Sequence, residues 1–465
     1  MPLVRSFSIA VAIAALALAH STAAYAGWNR VSEHSGANLD EVGMARDGAG
    51  VLHVAYRDRE GTGPYTLRYR TLSANGRTWS TPTSIVGPWV GMTNPDLELV
   101  GGTLHAFWGG QGSTDVADPT SSGRAWYATL AGGTWTQSTS PMTYRATPYA
   151  STQVSSAVAS DGTPWISWTI TSQLAIHAGL AQGSEDETNL SVGCCEYASN
   201  IGRDAATGDL YVVWYSNVSG ANGYYSRRIA PALGDVVRLA SSAGTDATAG
   251  RNKRLAAASR TTGGVYSAYC DTYPTCSKLR VAGTSGPSLV RNLGSKPALA
   301  EASWVAAAPQ GRMWLVWGDY DGRTWAVRSN KALTRWGALR SLGKPAASTT
   351  TWNVNADGTR GPLDVILNAS AGSNIYQYHQ RVLPGLSLSI VSRRRDSRGR
   401  LVVTLRANDA GDPVAARVRL LGTSLTARSN GLVRFTIASR VRSRTAIAVA
   451  TRSGYAAGRV AVRLR

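Results

Sequence analysis

The sequence predicts an all-β protein: a β-propeller of seven blades, with six as the alternative count, followed by a small immunoglobulin-like β-sandwich. Three observations carry that prediction. A turn with Gly, then a short apolar strand ending in Tyr or Trp, recurs six times and once more with Leu at its end, at separations of 52, 60, 46, 55, 48 and 50 residues. That is the period of four-stranded propeller blades. The aromatic balance, 15 Trp and 19 Tyr against three Phe, suits many short strands with one apolar side and one wet end. After Leu383 the period stops, and apolar and polar residues alternate between Gly and Asn turn signals with no helical run.

The first 26 of the 465 residues carry the marks of a secretory leader: Arg5, an apolar run from Ile9 to Ala19, and the small-x-small pattern Ala24-Tyr25-Ala26. The apolar run is too short to span a bilayer, and no later stretch is long enough. The expected organisation is therefore a leader over 1–26, a propeller over 27–382 and a sandwich over 383–465, in a protein exported to an extracytoplasmic space, near the cell wall, as a monomer.

The repeats end at Tyr56, Trp108, Trp168, Trp214, Tyr269, Trp317 and, more weakly, Leu367. Each is followed by a polar loop and another strand, such as YTLRYRTL or RAWYATL. A fourth segment often opens on Trp, as at Trp79, Trp135 and Trp336. The seventh repeat lacks that segment, and the mature N-terminus supplies one, GWNRVSE with Trp28. An open ring would leave two unpaired strand edges, so the N-terminal strand is expected to close the last blade. The last 80 or so residues, with six or seven alternating strands, give the sandwich.

The blade grammar resembles the sialidase-like propellers, whose repeats carry an Asp-box, Ser-x-Asp-x-Gly-x-Thr-Trp. Gly76, Thr78 and Trp79 match it in the first repeat and Gly132, Thr134 and Trp135 in the second, while Leu72, Ala74, Ala128 and Leu130 replace the Ser and Asp; the sixth keeps Ser329 and Trp336. The Phe/Tyr-Arg-Ile-Pro motif of sialidases is absent. The resemblance covers Trp28 to about Val382 and implies a carbohydrate-facing propeller, with sialidase-like hydrolysis or polysaccharide lysis as the activities such folds carry. The C-terminal segment, through GDPVAARVRL and SNGLVRF, resembles immunoglobulin-like modules appended to secreted bacterial enzymes and adhesins.

The net charge of +20 comes from an Arg bias, and about +14 of it lies after Leu383, where 17 Arg face Asp396, Asp409 and Asp412. That distribution points to a solvated basic module or one that holds anionic cell-surface polymers, and not to nucleic acid. Four cysteines suit an oxidising compartment. Cys270 and Cys276 flank a short loop they could close, and adjacent Cys194 and Cys195 could form a vicinal ring; the alternative is two cross-links stapling the two loops together.

Propeller ligands bind on the loop-rich face around the axis. The starts of the innermost strands place Asp40, Asp96, Gln153, Glu196, Arg254, Trp304 and Asn353 there, and nearby loops add Arg57, Asp58, Tyr144, Tyr149, Tyr197, Tyr215, Tyr273 and Asp319. Carboxylates, cations and aromatic faces together suit a sugar. From this set Asp58, Glu196 and Tyr197 are the catalytic candidates, as acid, base or nucleophile. Arg57, Asp96, Tyr149, Cys194, Cys195, Tyr215, Arg254 and Trp304 are the candidate ligand contacts. Five His outside the leader, without ligand spacing, predict no zinc and no cofactor, with Ca²⁺ at Asp115 to Asp118 the weak alternative. The functions that follow are recognition of an extracellular glycan or cell-wall polymer, with or without hydrolase or lyase activity, or a non-enzymatic protein-binding or adhesion scaffold.

Overall fold

The computed structural model describes residues 27–34, 41–61, 63–112, 124–143, 154–170, 173–183, 196–240, 254–271, 276–294, 298–346, 349–371, 374–438 and 443–464. The expected leader lies outside them. Beyond one short 3-10 turn at Pro309–Gly311, the described secondary structure is all strand.

Strands between Asn29 and Val382 form six antiparallel sheets among the described residues. The first is a double sheet over 43–137. Strand Thr83–Met92 leaves the meander of Gly43–Arg46, Leu52–Asp58 and Tyr65–Leu72 and pairs with Thr103–Gly112 of the next one. The others open on Ser155–Val158, Glu196–Arg203, Ala258–Ser259, Ala298–Ala308 and Thr349–Asp357, and each steps outward through sequence-adjacent strands. Short turns permit this. Gly101 and Gly102, at φ 58° and 81°, form the two-residue hairpin between Val100 and Thr103, a conformation that favours glycine.

The repeat-terminal residues, six aromatics and one Leu, explain how the sheets stand against one another. Tyr56, Trp108, Trp168, Trp214, Tyr269, Trp317 and Leu367 are all buried. Each lies on the second strand of its meander, where one face meets the neighbouring sheet. Phe107 packs with Ile166 and Trp168, Trp214 with Ile176, Tyr215 with Tyr269, Met313 with Val281, and Trp314 with Val365. Ile366 of the last sheet packs with Val42, Val54 and Tyr56 of the first. The arrangement is propeller-like, with sheets packed face to face in sequence order and the last against the first. The fourth-segment tryptophans pair as their spacing predicts, with Leu72 opposite Trp79, Leu130 opposite Trp135 and Ser329 opposite Trp336.

The N-terminal segment joins the last sheet. Strand Asn29–Arg30 lies antiparallel to Asn374–Val382, with Asn29 opposite His379 and Arg30 opposite Tyr378. Val31 N donates to Gln377 O at 2.8 Å and Gln377 N donates to Ser32 Oγ at 3.0 Å.

Residues 386–464 form a separate apolar core. Its two sheets comprise Ser387–Arg395, Leu401–Asp409, Asp412–Pro413 and Leu432–Ile437 on one side, and Thr423–Thr426, Arg417–Leu420, Thr445–Thr451 and Gly458–Arg463 on the other. Ion pairs fix it to the sheet before the last: buried Asp409 meets Arg312 and Arg328, and half-buried Asp412 meets Arg312.

Candidate functional site

The innermost strands of all these sheets line one cavity of about 450 Å³ on the axis. Crowding there is severe, and the sequence meets it with small residues. Opposite the residue three before each repeat-terminal aromatic stand Ala45, Ala157, Gly202, Ala258 and Ala306, and Ala356 lines the wall in the last sheet. A Cβ on Gly202 would lie 2.7 Å from Ala257 O, so even alanine does not fit at that point. The second meander breaks the pattern. It places Glu98 opposite His105, the position that Ala45 occupies opposite His53.

One end of this channel is filled by an ionic knot. Arg254, only 2% exposed, sits with Nη1 3.0 Å from Asp96 Oδ1 and Nε 3.2 Å from Glu41 Oε2. Its backbone N donates to Glu41 Oε1 at 2.8 Å, and its guanidinium donates to Val154 O and Val42 O. Asp96 Oδ2 also accepts from Ser156 N at 2.7 Å. Burial by itself would lower the Arg254 pKa; Asp96 and Glu41 outweigh it and raise it.

Beyond the knot the channel carries Glu98, Arg203, Ser259, Asp357, Thr359 and Trp304. Period two along Asp96–Val100 turns Asp96 and Glu98 to the same side. Desolvation, reinforced by Asp96 and opposed by Arg203, pushes the Glu98 carboxyl from 4.5 up to about 8. It is therefore largely protonated at neutral pH and can donate a hydrogen bond into the channel. Arg46, by contrast, is neutralised: its Nε donates to Asp357 at 2.6 Å and its Nη2 to Asp364 at 2.5 Å.

The Glu98 shift fixes a pH dependence. The folded carboxyl holds its proton more tightly than the unfolded one, so stability falls as pH rises from about 4.5 to about 8. Thermal melts across that window should show the decline in the wild type and a flatter profile in Glu98→Gln. The same decline in both proteins would assign it to another group.

The structure brings together two of the sequence-derived candidates, Asp96 and Arg254, and adds Glu41, the neighbour of the predicted Asp40. It places Trp304 on the channel wall. The rest stand apart. Asp58 is buried, accepts from His34 N at 3.1 Å, and lies 3.0 Å from His34 Nδ1 and 3.5 Å from Arg68 Nε. The hydrogen bond to Asp58, partly offset by desolvation, raises the His34 pKa. Arg57 donates to Met92 O and lies over the Tyr65 ring at 5.2 Å. Tyr215 is a core residue, 5.1 Å from Tyr224, which stacks on Tyr269 at 4.4 Å. Glu196 is fully buried and Tyr197 half-buried, at the head of strand Glu196–Arg203, where Ala198 at φ 61° marks a register break. Asp58 and Glu196 thus belong to different sheets.

Cys270 and Cys276 form a disulfide that closes their own short loop. The staple between the two cysteine loops is thereby corrected. Tyr149, Cys194, Cys195, Asp40, Gln153, Tyr144, Tyr273 and the Asp115 to Asp118 loop lie outside the described residues. Among the described residues no cluster of three His, Cys, Asp or Glu side chains could hold a metal ion, and no helix is long and apolar enough to cross a membrane. Sequence reasoning missed Glu98, although the alternation Asp-Leu-Glu and the alanines at equivalent repeat positions were both signals for it.

No protein-family model matches the chain, and no curated protein is similar to it in sequence. Solved structures similar to it include a protein of unknown function from Dyadobacter fermentans, at 12% identity and TM-score 0.42, covering 77% of this chain and 99% of that one. A puromycin-hydrolyzing peptidase of Mycobacterium tuberculosis is 12% identical with TM-score 0.45 over 93% of this chain, which spans 62% of that protein's length. An exo-β-1,3-galactanase from Clostridium thermocellum is 9% identical with TM-score 0.36, over 77% of this chain and 99% of its own.

Proposed function

We propose that this chain is a secreted, monomeric, glycan-recognising β-propeller of the sialidase-like kind. The double sheet counts as two blades, which makes seven. The leader over 1–26 is removed, the segment that follows closes the ring, and 383–465 is an immunoglobulin-like module that keeps the protein near the cell wall.

The channel is the observation that carries the reading. A cavity of about 450 Å³ lies within the size range of small-ligand sites. It combines a protonated carboxyl at Glu98, a cation at Arg203, the hydroxyl-bearing Ser259 and Thr359, and the aromatic Trp304. A sugar ring presents the complementary set, hydroxyls that both donate and accept and an apolar C–H face.

If the protein turns over its glycan by hydrolysis or lysis, Glu98 is the acid. A carboxyl with a pKa near 8 still holds its proton at neutral pH, as general acid catalysis requires. Asp58, held by His34, is not among the residues that line the channel.

A glycan array carrying neutral and acidic saccharides tests the proposal. The full-length mature protein should bind a subset, and Arg203→Ala should weaken that binding about fivefold or more, as loss of a charge-assisted hydrogen bond does. No binding across the array at high protein concentration would favour the protein scaffold. Unchanged binding by Arg203→Ala would move the site away from the channel.

A further inference from the structure

A second cavity, of about 410 Å³, lies between the propeller-like body and the C-terminal sandwich. Its walls are stiff, formed in part by Pro309, Pro362, Pro384 and Pro413, and its polar lining is dominated by cations: Arg312, Arg328, Lys331, Arg360 and Arg452. Arg312 and Arg328 are buried and spent on Asp409 and Asp412. The other three are exposed. Arg360 donates to the carbonyls of Asp47 and Gly48, and Arg452 donates to Ala415 O at 3.1 Å. Carbonyl bonds position a guanidinium without cancelling its charge, so the cleft keeps an excess of positive potential in a partly enclosed space, where a Coulomb interaction is screened less than on an open face.

The cleft also holds strained backbone. Gln310, exposed on its wall, has φ 64°, an uncommon conformation for a residue with a Cβ. The turn is clamped in that shape from the sheet before it: Arg260 Nε donates to Gly311 O at 2.7 Å, and Gly311 N donates to Thr261 Oγ1 at 2.7 Å. The backbone that carries the exposed Gln310 side chain is thus held at the edge of a cationic cleft.

We propose that this cleft binds an acidic polysaccharide, with Lys331, Arg360 and Arg452 contacting its carboxylate, sulfate or phosphate groups and Gln310 bonding a neighbouring hydroxyl. The size admits one or two sugar residues of a longer chain. Single-stranded nucleic acid fits less well, because it is held by stacking on free aromatic faces. The aromatic ring in the cleft, Tyr455, already carries Arg328 and Arg452 at 5.4 and 5.6 Å. The site is distinct from the channel and does not depend on it.

The test is affinity electrophoresis of the full-length mature protein through gels containing polygalacturonate, dextran sulfate, neutral dextran or single-stranded DNA. One variant carries Lys331→Gln, Arg360→Gln and Arg452→Gln; a charge-matched control carries Arg419→Gln, Arg434→Gln and Arg459→Gln, on exposed strand positions of the sandwich. Retardation by at least one acidic polymer and none by neutral dextran is expected. The cleft variant should lose about tenfold or more in affinity, as three ion pairs of roughly 0.5–1 kcal/mol each imply, and the control should lose little. The polymer retarded most identifies the acid group. Equal losses in the two variants would reduce the effect to general surface charge and overturn the proposal. So would failure of every acidic polymer to retard the wild type, or tighter retention by DNA through the same residues.

Discussion

Arg254→Leu is expected to destabilise the protein by about 3–5 kcal/mol, the usual consequence of removing one partner of a buried ion pair. Three features make the effect large. Glu41 is fully buried and would keep a negative charge with its guanidinium partner gone. Asp96 would lose its cation while it still faces Glu98, whose carboxyl it already pushes upward. The carbonyls of Val42 and Val154, both buried, would lose their donors. Because Arg254 approaches from one meander and touches three others, the loss should appear as a lower urea midpoint for the whole molecule. Combining Arg254→Leu with Glu41→Leu should recover part of it, since the fully buried charge of Glu41 is then gone and only Asp96 is left without its cation. A loss below about 1 kcal/mol would mean that the knot behaves like a solvated surface pair.

Deleting residues 27–34 should cost on the order of 4 kcal/mol and induce self-association. Val31 is fully buried, worth about 2 kcal/mol of apolar transfer, and backbone and side-chain hydrogen bonds of roughly 1 kcal/mol each add to it, less the cost of ordering the segment. These bonds reach in three directions: from Val31 to Gln377, from Trp28 Nε1 to Leu342 O at 2.9 Å, and from Arg70 Nη1 to Val31 O at 2.7 Å. Removal also bares strand Asn374–Val382 along its outer edge, a template for pairing with a second molecule. Calorimetry and light scattering read the two effects separately. An unchanged melting temperature would remove the N-terminal strand from the architecture.

The repeat was legible in the sequence because six of its seven instances place a Tyr or Trp at the same point of a second strand, with Leu367 in the last, and volume at a packed interface is hard to replace. The closing strand was legible for a related reason: its Trp-led phrase was missing from the last repeat and present at Trp28. Asp96 and Arg254 could be placed near the axis by counting back from the turns. Their mutual neutralisation could not, since it depends on Glu41, 213 residues from Arg254, and sequence spacing does not report such a distance. Asp58 and Tyr215 do not line the channel, and sequence could not tell this, because strand ends and loop mouths favour the same polar and aromatic residues whether they face a ligand or a neighbour. His34 and Tyr224 are the neighbours they found.

The position of the closing strand has a consequence for the order in which the chain can fold. Ser32 and Gln377 are 345 residues apart, yet they share a hydrogen bond. The first of the described strands is thus among the last to find its partner, because the receiving strand Asn374–Val382 is made only after almost the whole propeller-like body. Each meander can form locally as it emerges, while completion of the last sheet waits for a contact of very high sequence separation, the kind that slows folding. Chains arrested before residue 374 would lack the receiving strand altogether, so premature termination should yield species with two unsatisfied edges and no stable shorter form.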